Sequence, residues 1–290
     1  MQSCIRICAG PATSPRLAAL QHAWDAQLAP HAGERLEPLL YNAARGHGQQ
    51  VVFAADGDRL IGCAAWVLLG VVQDGCAYGA PVIVLEPQAA PPLLEAVIAA
   101  VKHAGATRLR ISARPQESAK QQALHAAGFT PVFDFVTFSL ACSATIQAAL
   151  PQDLTPVPFE ALNWRKLYAL YGESFRSTPN SPLPAFEVFM EDWRDLNREA
   201  SQVLQSADGT YVAFCFIQDA VVESVGVDEV ARGRGIANAL YQHAVATLHA
   251  QGAASLSALV ASSNTASMRL HQKTGFTESA PRRTVYELAL

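Results

Sequence analysis

The sequence predicts an α/β chain made of two copies of one unit, and three observations lead there. First, "KHAGATRLRISARPQESAKQQALHAAGFT" (102–130) and "HAQGAASLSALVASSNTASMRLHQKTGFT" (249–277) align without a gap, at an offset of 147 residues. Gly105 falls on Gly252, Gly128 on Gly275 and Phe129 on Phe276. Second, each copy reads as helix, glycine stop, short strand, loop, helix, then a Gly-Phe step into another strand. Third, each copy is preceded by two apolar runs around an Asp-Gly turn, "QVVFAADGDRLIGCAAWVLLG" and "QVLQSADGTYVAFCFIQ". Such a turn between β-rich runs is a hairpin signal.

The helices follow from spacing. "PLLEAVIAAVKHAG" places apolar residues at helical intervals and closes on glycine, which takes the left-handed conformation that ends a helix. "ANALYQHAVATLHAQG" does the same in the second copy. The join lies in "ACSATIQAALPQDLTPVPFE", rich in Pro, Ala and Thr. The expected domains are 1–147 and 148–290.

Composition sets the class. With 290 residues, half of them apolar, the chain can build two cores. The net charge of -4 and the lack of a Lys/Arg run argue against nucleic acid. No apolar run is long enough for a membrane span. "MQSCIRICAGPATSP" lacks the apolar core of a secretory signal, so the expectation is a cytoplasmic protein. Cys4, Cys8, Cys63, Cys76, Cys142 and Cys215 form no C-x-x-C pair and have no zinc spacing. They are expected to be buried thiols, with no metal bound.

The chemistry concentrates in "VARGRGIANAL" (230–240). Strand-like "AVVESVGV" runs into it and a helix begins near Ile236. A helix N-terminus carries unsatisfied N–H groups and partial positive charge. Gly233 and Gly235 remove the Cβ atoms that would keep an anion off the backbone, while Arg232 and Arg234 add charge. The pattern lacks the third glycine of a dinucleotide fingerprint and the Gly-Lys-Ser/Thr of a Walker loop.

What remains is R-x-x-G-x-A, from Arg232 to Ala237, followed at a distance by "NTASMRLHQKTGF" from Asn264. This resembles the GCN5-related N-acetyltransferase (GNAT) superfamily, with its Q/R-x-x-G-x-G/A loop and its N-x-x-A-x-x-L-Y-x-x-x-G-F segment. The resemblance is detailed over roughly 150–290. It implies two tandem GNAT (acyl-CoA N-acyltransferase) domains, each a mixed, mostly antiparallel sheet flanked by helices. It also implies acetyl-CoA as co-substrate. Val225, Gly226 and Val227 would pair with the pantetheine arm as an added strand does. Amides from Gly233 through Ile236 to Ala237 would hold the pyrophosphate, beside Arg232 and Arg234. Asn264 and Ser267 would contact the pantetheine or its phosphate side.

At the ungapped offset, Arg232–Ala237 falls on Leu85, Glu86, Pro87, Gln88, Ala89 and Ala90, and Asn264 on Glu117. A carboxylate and a proline in place of a glycine-arginine loop predict a first domain that keeps the fold without binding CoA.

Acetyl transfer to an amine needs a base for the ammonium and an acid for the leaving thiolate. The family often supplies a tyrosine acid where this chain has His271. The readings are a histidine acid or a bystander. Glu223 lies on the strand before the loop. Period-two alternation puts it on one face with Val225 and Val227. It reads as a general base or as a solvated glutamate. Tyr241 and Tyr286 are weaker acid candidates. Glu187, Glu191 and Asp195 recur every four residues and would draw a cationic acceptor, or pair with Arg194 and Arg198. The expected reaction is direct attack by a small-molecule primary amine. The alternatives are another acyl-CoA, an oxygen acceptor, or a non-catalytic acyl-CoA sensor. Oligomeric state stays open, with a homodimer allowed by exposed sheet edges.

Overall fold

The computed structural model describes residues 5–28, 35–145, 149–176 and 182–290. Strand β1 (Ile5–Ala9) leads to helices α1 (Ser14–Leu28) and α2 (Leu36–Leu40), then to strands β2 (Val51–Asp56) and β3 (Arg59–Val67). A single turn α3 (Val71–Asp74) precedes β4 (Cys76–Val84), α4 (Ala90–His103), β5 (Arg108–Ala113) and α5 (Ser118–Ala126). Strand β6 (Thr130–Ala141) leads to β7 (Leu154–Pro156), α6 (Trp164–Phe175), α7 (Phe186–Asp192), β8 (Gln202–Ser206), β9 (Tyr211–Gln218) and β10 (Val221–Val227). The chain ends through α8 (Ile236–Ala250), β11 (Ser255–Ala261), α9 (Thr265–Lys273), β12 (Thr277–Glu278) and β13 (Arg283–Ala289). Mixed sheets flanked by helices are the predicted class.

The chain divides into two compact units, Met1–Phe133 with Arg283–Leu290, and Asp134–Arg282. In the first, β1 to β4 pair antiparallel in sequence, β5 joins β4 in parallel, and β13 lies antiparallel on β5 from Thr284↔Ala113 to Ala289↔Arg108. The sheet is covered on both faces. Ile61, Ala64 and Trp66 of β3 share a core with Leu93 and Val97 of α4. Their alternates Leu60, Cys63 and Ala65 share another with Leu20 and Trp24 of α1. Burying each large apolar side chain contributes about 1.5–3 kcal/mol, which is why two-sided burial selects a continuous apolar strand.

In the second unit, β7, β8, β9 and β10 pair antiparallel in order, β11 joins β10 in parallel, and β6 and β12 complete it antiparallel. Ala213, Cys215 and Ile217 of β9 pack with Leu240 and Tyr241 of α8. Phe214 and Phe216 face the other way, onto Leu167 and Leu170 of α6 and Phe189 of α7. Asn163 caps α6, its side-chain oxygen accepting from the amides of Arg165 and Lys166 at 3.1 Å each.

Two expectations change here. The boundary expected at 147/148 lies outside the described residues, and the compact units divide elsewhere. Ala141 to Phe135 pair with Ser255 to Ala261 inside the second unit, while the C-terminal strand pairs with β5 inside the first. The ungapped comparison of the loops also fails. Between strand and helix the first unit has only residues 85–89, where the second has 228–235. Helices α5 and α9 still match at the offset of 147, so the difference is a shortened connection. Cys63, Cys76 and Cys215 are buried as expected, whereas Cys8 and Cys142 are only half-buried, and burial pushes the Cys63 and Cys215 thiols up to about 12. Cys4 lies outside the described residues.

Candidate active site

The site starts with two strands that part. β10 and β11 pair in parallel only at Val221↔Ser257 and Val222↔Ala258, although β10 runs on to Val227 and β11 to Ala261. Beyond Val222 the facing edges are free to take an added strand-like group. On its other side β10 stays paired with β9, with a bulge between Val222 and Ser224. Gly226 allows a close crossing there: a Cβ would strike the Phe214 ring and sit 2.7 Å from Ser174 Oγ.

The bulge relocates Glu223, which is its extra residue. Val222, Val225 and Val227 pack toward the α8 core, so they share a face. Gly226 faces Phe214 and Ser174, and Ser224 faces Tyr171. As the extra residue of the bulge, Glu223 breaks the simple alternation that would set it on the face of Val225 and Val227. Glu223 is exposed, yet protein groups crowd its carboxyl. Its pKa is raised, first by lost hydration, then by the like charges of Asp219 and Asp192.

The strand then enters the glycine loop. Asp228 Oδ1 accepts from the Val230 amide at 3.0 Å and sets a short turn over Glu229–Ala231. Gly233 and Gly235 both take φ of +79°, and nothing lies within 4 Å of where a Cβ would stand. Glycine is required by conformation and leaves the backbone bare. The first bond into α8 runs from the Ala239 amide to Gly235 at 3.1 Å, so the preceding amides have no partner one helical turn back. Arg232 Nε donates to the Val227 carbonyl at 3.2 Å, and Arg234 is held by Asp153 at 2.5 Å.

Asn264 opens α9. Its side-chain oxygen caps the Ser267 amide at 3.1 Å, and the residue still borders the cavity. These pieces enclose about 720 Å³. Val225, Gly226 and Val227 line one part, and Arg232, Gly233, Gly235, Ile236 and Ala237 another. Asn264 and Ser267 line a third. Eleven cofactor residues were expected there, and Arg234 alone is not in the lining. Sequence reasoning missed Ser174 and Phe175 of α6, Asn238 of α8, and Leu270, Lys273 and Thr274 around the end of α9. Helical spacing from Ser267 reaches Leu270 and Thr274 at i+3 and i+7, and Lys273 lies three residues beyond Leu270.

His271 is not in the cavity lining, and this corrects its candidacy as the acid. It is 2 % exposed, stacked on Phe138 and edge-on to Phe276. Nδ1 lies 2.8 Å from the Ser267 carbonyl, which only accepts, so the proton is assigned to Nδ1. Tyr241 Oη, 3.2 Å from Nε2, then donates to it. The imidazole pKa is lowered by burial against the opposing effect of the Ser267 carbonyl. Tyr241 is 0 % exposed and its hydroxyl pKa is raised well up by burial, so it is no acid at the cavity either. Tyr286 belongs to the core of the first unit. The acidic repeat also breaks, because α7 ends at Asp192 and leaves Asp195 off the helix. Residues 177–181 of the Pro-rich segment lie outside the described residues.

The first unit shows the same strand pair filled from within. Pairing of β4 with β5 ends at Gly79↔Ile111. Matching the strand ends Val84 and Val227 sets Ala80 against Glu223 and Val82 against Val225. Lys120, 5 % exposed, donates from Nζ to the Val82 carbonyl at 2.9 Å and to Glu117 Oε1 at 2.6 Å. Arg45 Nε donates to the Ala80 carbonyl at 2.7 Å. Glu117 and Lys120 stand where the second unit has Asn264 and Ser267.

The fold is a mixed sheet whose parted strands β10 and β11 open onto the glycine-loop cavity. Residues 164–276, inside the second unit, match the profile of the Acetyltransferase (GNAT) family. No curated protein is found to be related in sequence. Among solved structures, a GCN5-related N-acetyltransferase from Sphaerobacter thermophilus is similar at 18 % identity and TM-score 0.71, over 98 % of this chain and 95 % of that one. A tandem GNAT protein from the clavulanic acid biosynthesis pathway matches at 14 % identity and TM-score 0.67, over 98 % of each chain. A putative acetyltransferase from Pyrococcus horikoshii matches at 12 % identity and TM-score 0.61, over 100 % of this chain and 90 % of that one. At these identities the structures speak for the fold. Among the described residues no helix is long and apolar enough to cross a membrane, and no cluster suits a metal.

Proposed function

We propose that the second unit transfers an acetyl group from acetyl-CoA to a primary amine of a small molecule by direct attack. The observation that carries this reading is the meeting of the parted strands β10 and β11 with the bare glycine loop in one cavity. The amides from Gly233 to Ala237 suit a diphosphate, and the free edge of β10 suits the amides of a pantetheine arm. Glu223 stands at the bulge, where that edge opens, two residues before Val225 and outside the cavity lining itself. Its raised pKa suits a base that takes a proton from an ammonium group. Among the described residues no tyrosine, histidine or cysteine lines the cavity, so the thiolate departs without one of these acids.

The same lack favours one other reading, an acyl-CoA sensor without turnover. Thiol release separates the two. Full-length protein mixed with acetyl-CoA and a panel of small amines is expected to release free thiol only when an accepted amine is present. Binding of acetyl-CoA with no thiol released by any amine supports the sensor. No binding removes both.

The first unit is proposed to keep the fold without this activity. Its connection is short, and Lys120 and Arg45 already satisfy the β4 carbonyls. The expected stoichiometry is one acyl-CoA per chain.

A further inference from the structure

Sequence inspection points to Arg232 and Arg234 as the cations of the site, and the structure ties both to the protein. Arg232 Nε is bonded to the Val227 carbonyl. Arg234 is paired with Asp153 and is not in the cavity lining. The other cation in the lining is Lys273, at the last position of α9. Lys273 is exposed, and among the described residues no hydrogen bond or ion pair engages its ammonium. It borders the cavity with Leu270 and Thr274, and Asn238 lies in the same lining from the first turn of α8.

The cavity therefore offers two separate positive features. One is the loop with the start of α8, made of amides, a helix dipole and the guanidinium of Arg232, of which only Nε is engaged among the described residues. The other is a single unpaired ammonium on a different helix. A ligand with one diphosphate satisfies the first alone. A ligand that also carries a phosphate on its nucleotide ribose satisfies both. Resting on the acyl-CoA reading above, we infer that Lys273 recognises the ribose 3′-phosphate and makes the site selective for coenzyme A over its 3′-dephospho form. The pantetheine portion runs toward β10, Ser174 and Phe175, and the nucleotide end toward Leu270, Lys273 and Thr274. A charge-assisted contact to a phosphate is worth about tenfold in affinity.

The test is calorimetry of the full-length chain with coenzyme A and with 3′-dephospho-coenzyme A. Wild type is expected to prefer coenzyme A about tenfold, a preference that shrinks as salt is raised. Lys273→Met is expected to abolish the preference while leaving the affinity for the dephospho form unchanged. Lys273→Arg is expected to retain it. A Lys273→Met protein that keeps the preference, or loses affinity for both ligands equally, overturns the assignment. Wild type that binds neither ligand overturns the acyl-CoA reading itself.

Discussion

The Tyr241 hydroxyl donates to His271 Nε2 across 3.2 Å, and neither residue reaches the cavity. The pair joins α8 to α9, the helices that carry the loop amides and Asn264. Its work is to hold two walls of the site in register, with the histidine neutral. Tyr241→Phe removes the donor and leaves a buried nitrogen unsatisfied, at a cost of about 1–3 kcal/mol in urea unfolding.

His271 also gives stability a pH dependence. Burial lowers its folded pKa, so the unfolded chain takes up this proton first, near pH ~6.5. The contribution is fully present above that pH and is lost as pH falls toward the folded pKa. His271→Leu is expected to flatten the wild-type slope between about pH 7 and 5. Parallel slopes in the two proteins would contradict a buried neutral imidazole.

Glu223→Gln is expected to lower kcat by about 10²–10⁴ while leaving the Kd for acetyl-CoA unchanged, because the carboxylate acts on the acceptor. As the carboxyl pKa is raised, the acidic limb of the kcat/KM profile should lie above the ordinary carboxylate range. An acidic limb that persists in Glu223→Gln would assign the base elsewhere.

Gly235 needs its positive φ and its bare backbone. Gly235→Glu adds about 1–3 kcal/mol of backbone strain and sets a charge beside the diphosphate site. Acetyl-CoA affinity is expected to fall at least about 100-fold by calorimetry, which corresponds to about 2.7 kcal/mol. Circular dichroism should still report a folded chain.

Lys120→Met is expected to destabilise the chain by about 1–3 kcal/mol, since it removes the buried ammonium's bonds to Glu117 and to the Val82 carbonyl and leaves half-buried Glu117 with the Arg114 amide. Adding Glu117→Gln should restore much of the loss. Thermal unfolding of the single and double variants measures the coupling. Simple additivity would show that the two side chains act independently.

The glycine loop was legible because its signal is local: bare residues between an apolar strand and a helix of regular period. Asn264 and Ser267 were legible for the same reason. The place of Glu223 was not, since a bulge depends on how β10 meets β9, and nothing in "VVESVGV" marks the extra residue. The burial of His271 depends on Phe138 and Phe276, which lie far from it in sequence or beyond its helix. The ungapped match of the second half of each copy hid the shortened connection before α4, because the helices after it keep perfect step. The choice of partner by β13 was equally hidden. "RRTVYELAL" reads as an apolar strand whichever neighbour it takes.

That choice of partner bears on how the gene can be cut. Residues 135–141 occupy a place on β11 inside the second unit, so a product begun at residue 148 would carry every loop and helix of the cavity but lack a strand of its own sheet. The bared β11 edge would be open to recruiting strands from other copies. Expression of that half alone should give aggregates or swapped oligomers, and a soluble version needs to begin ahead of Asp134.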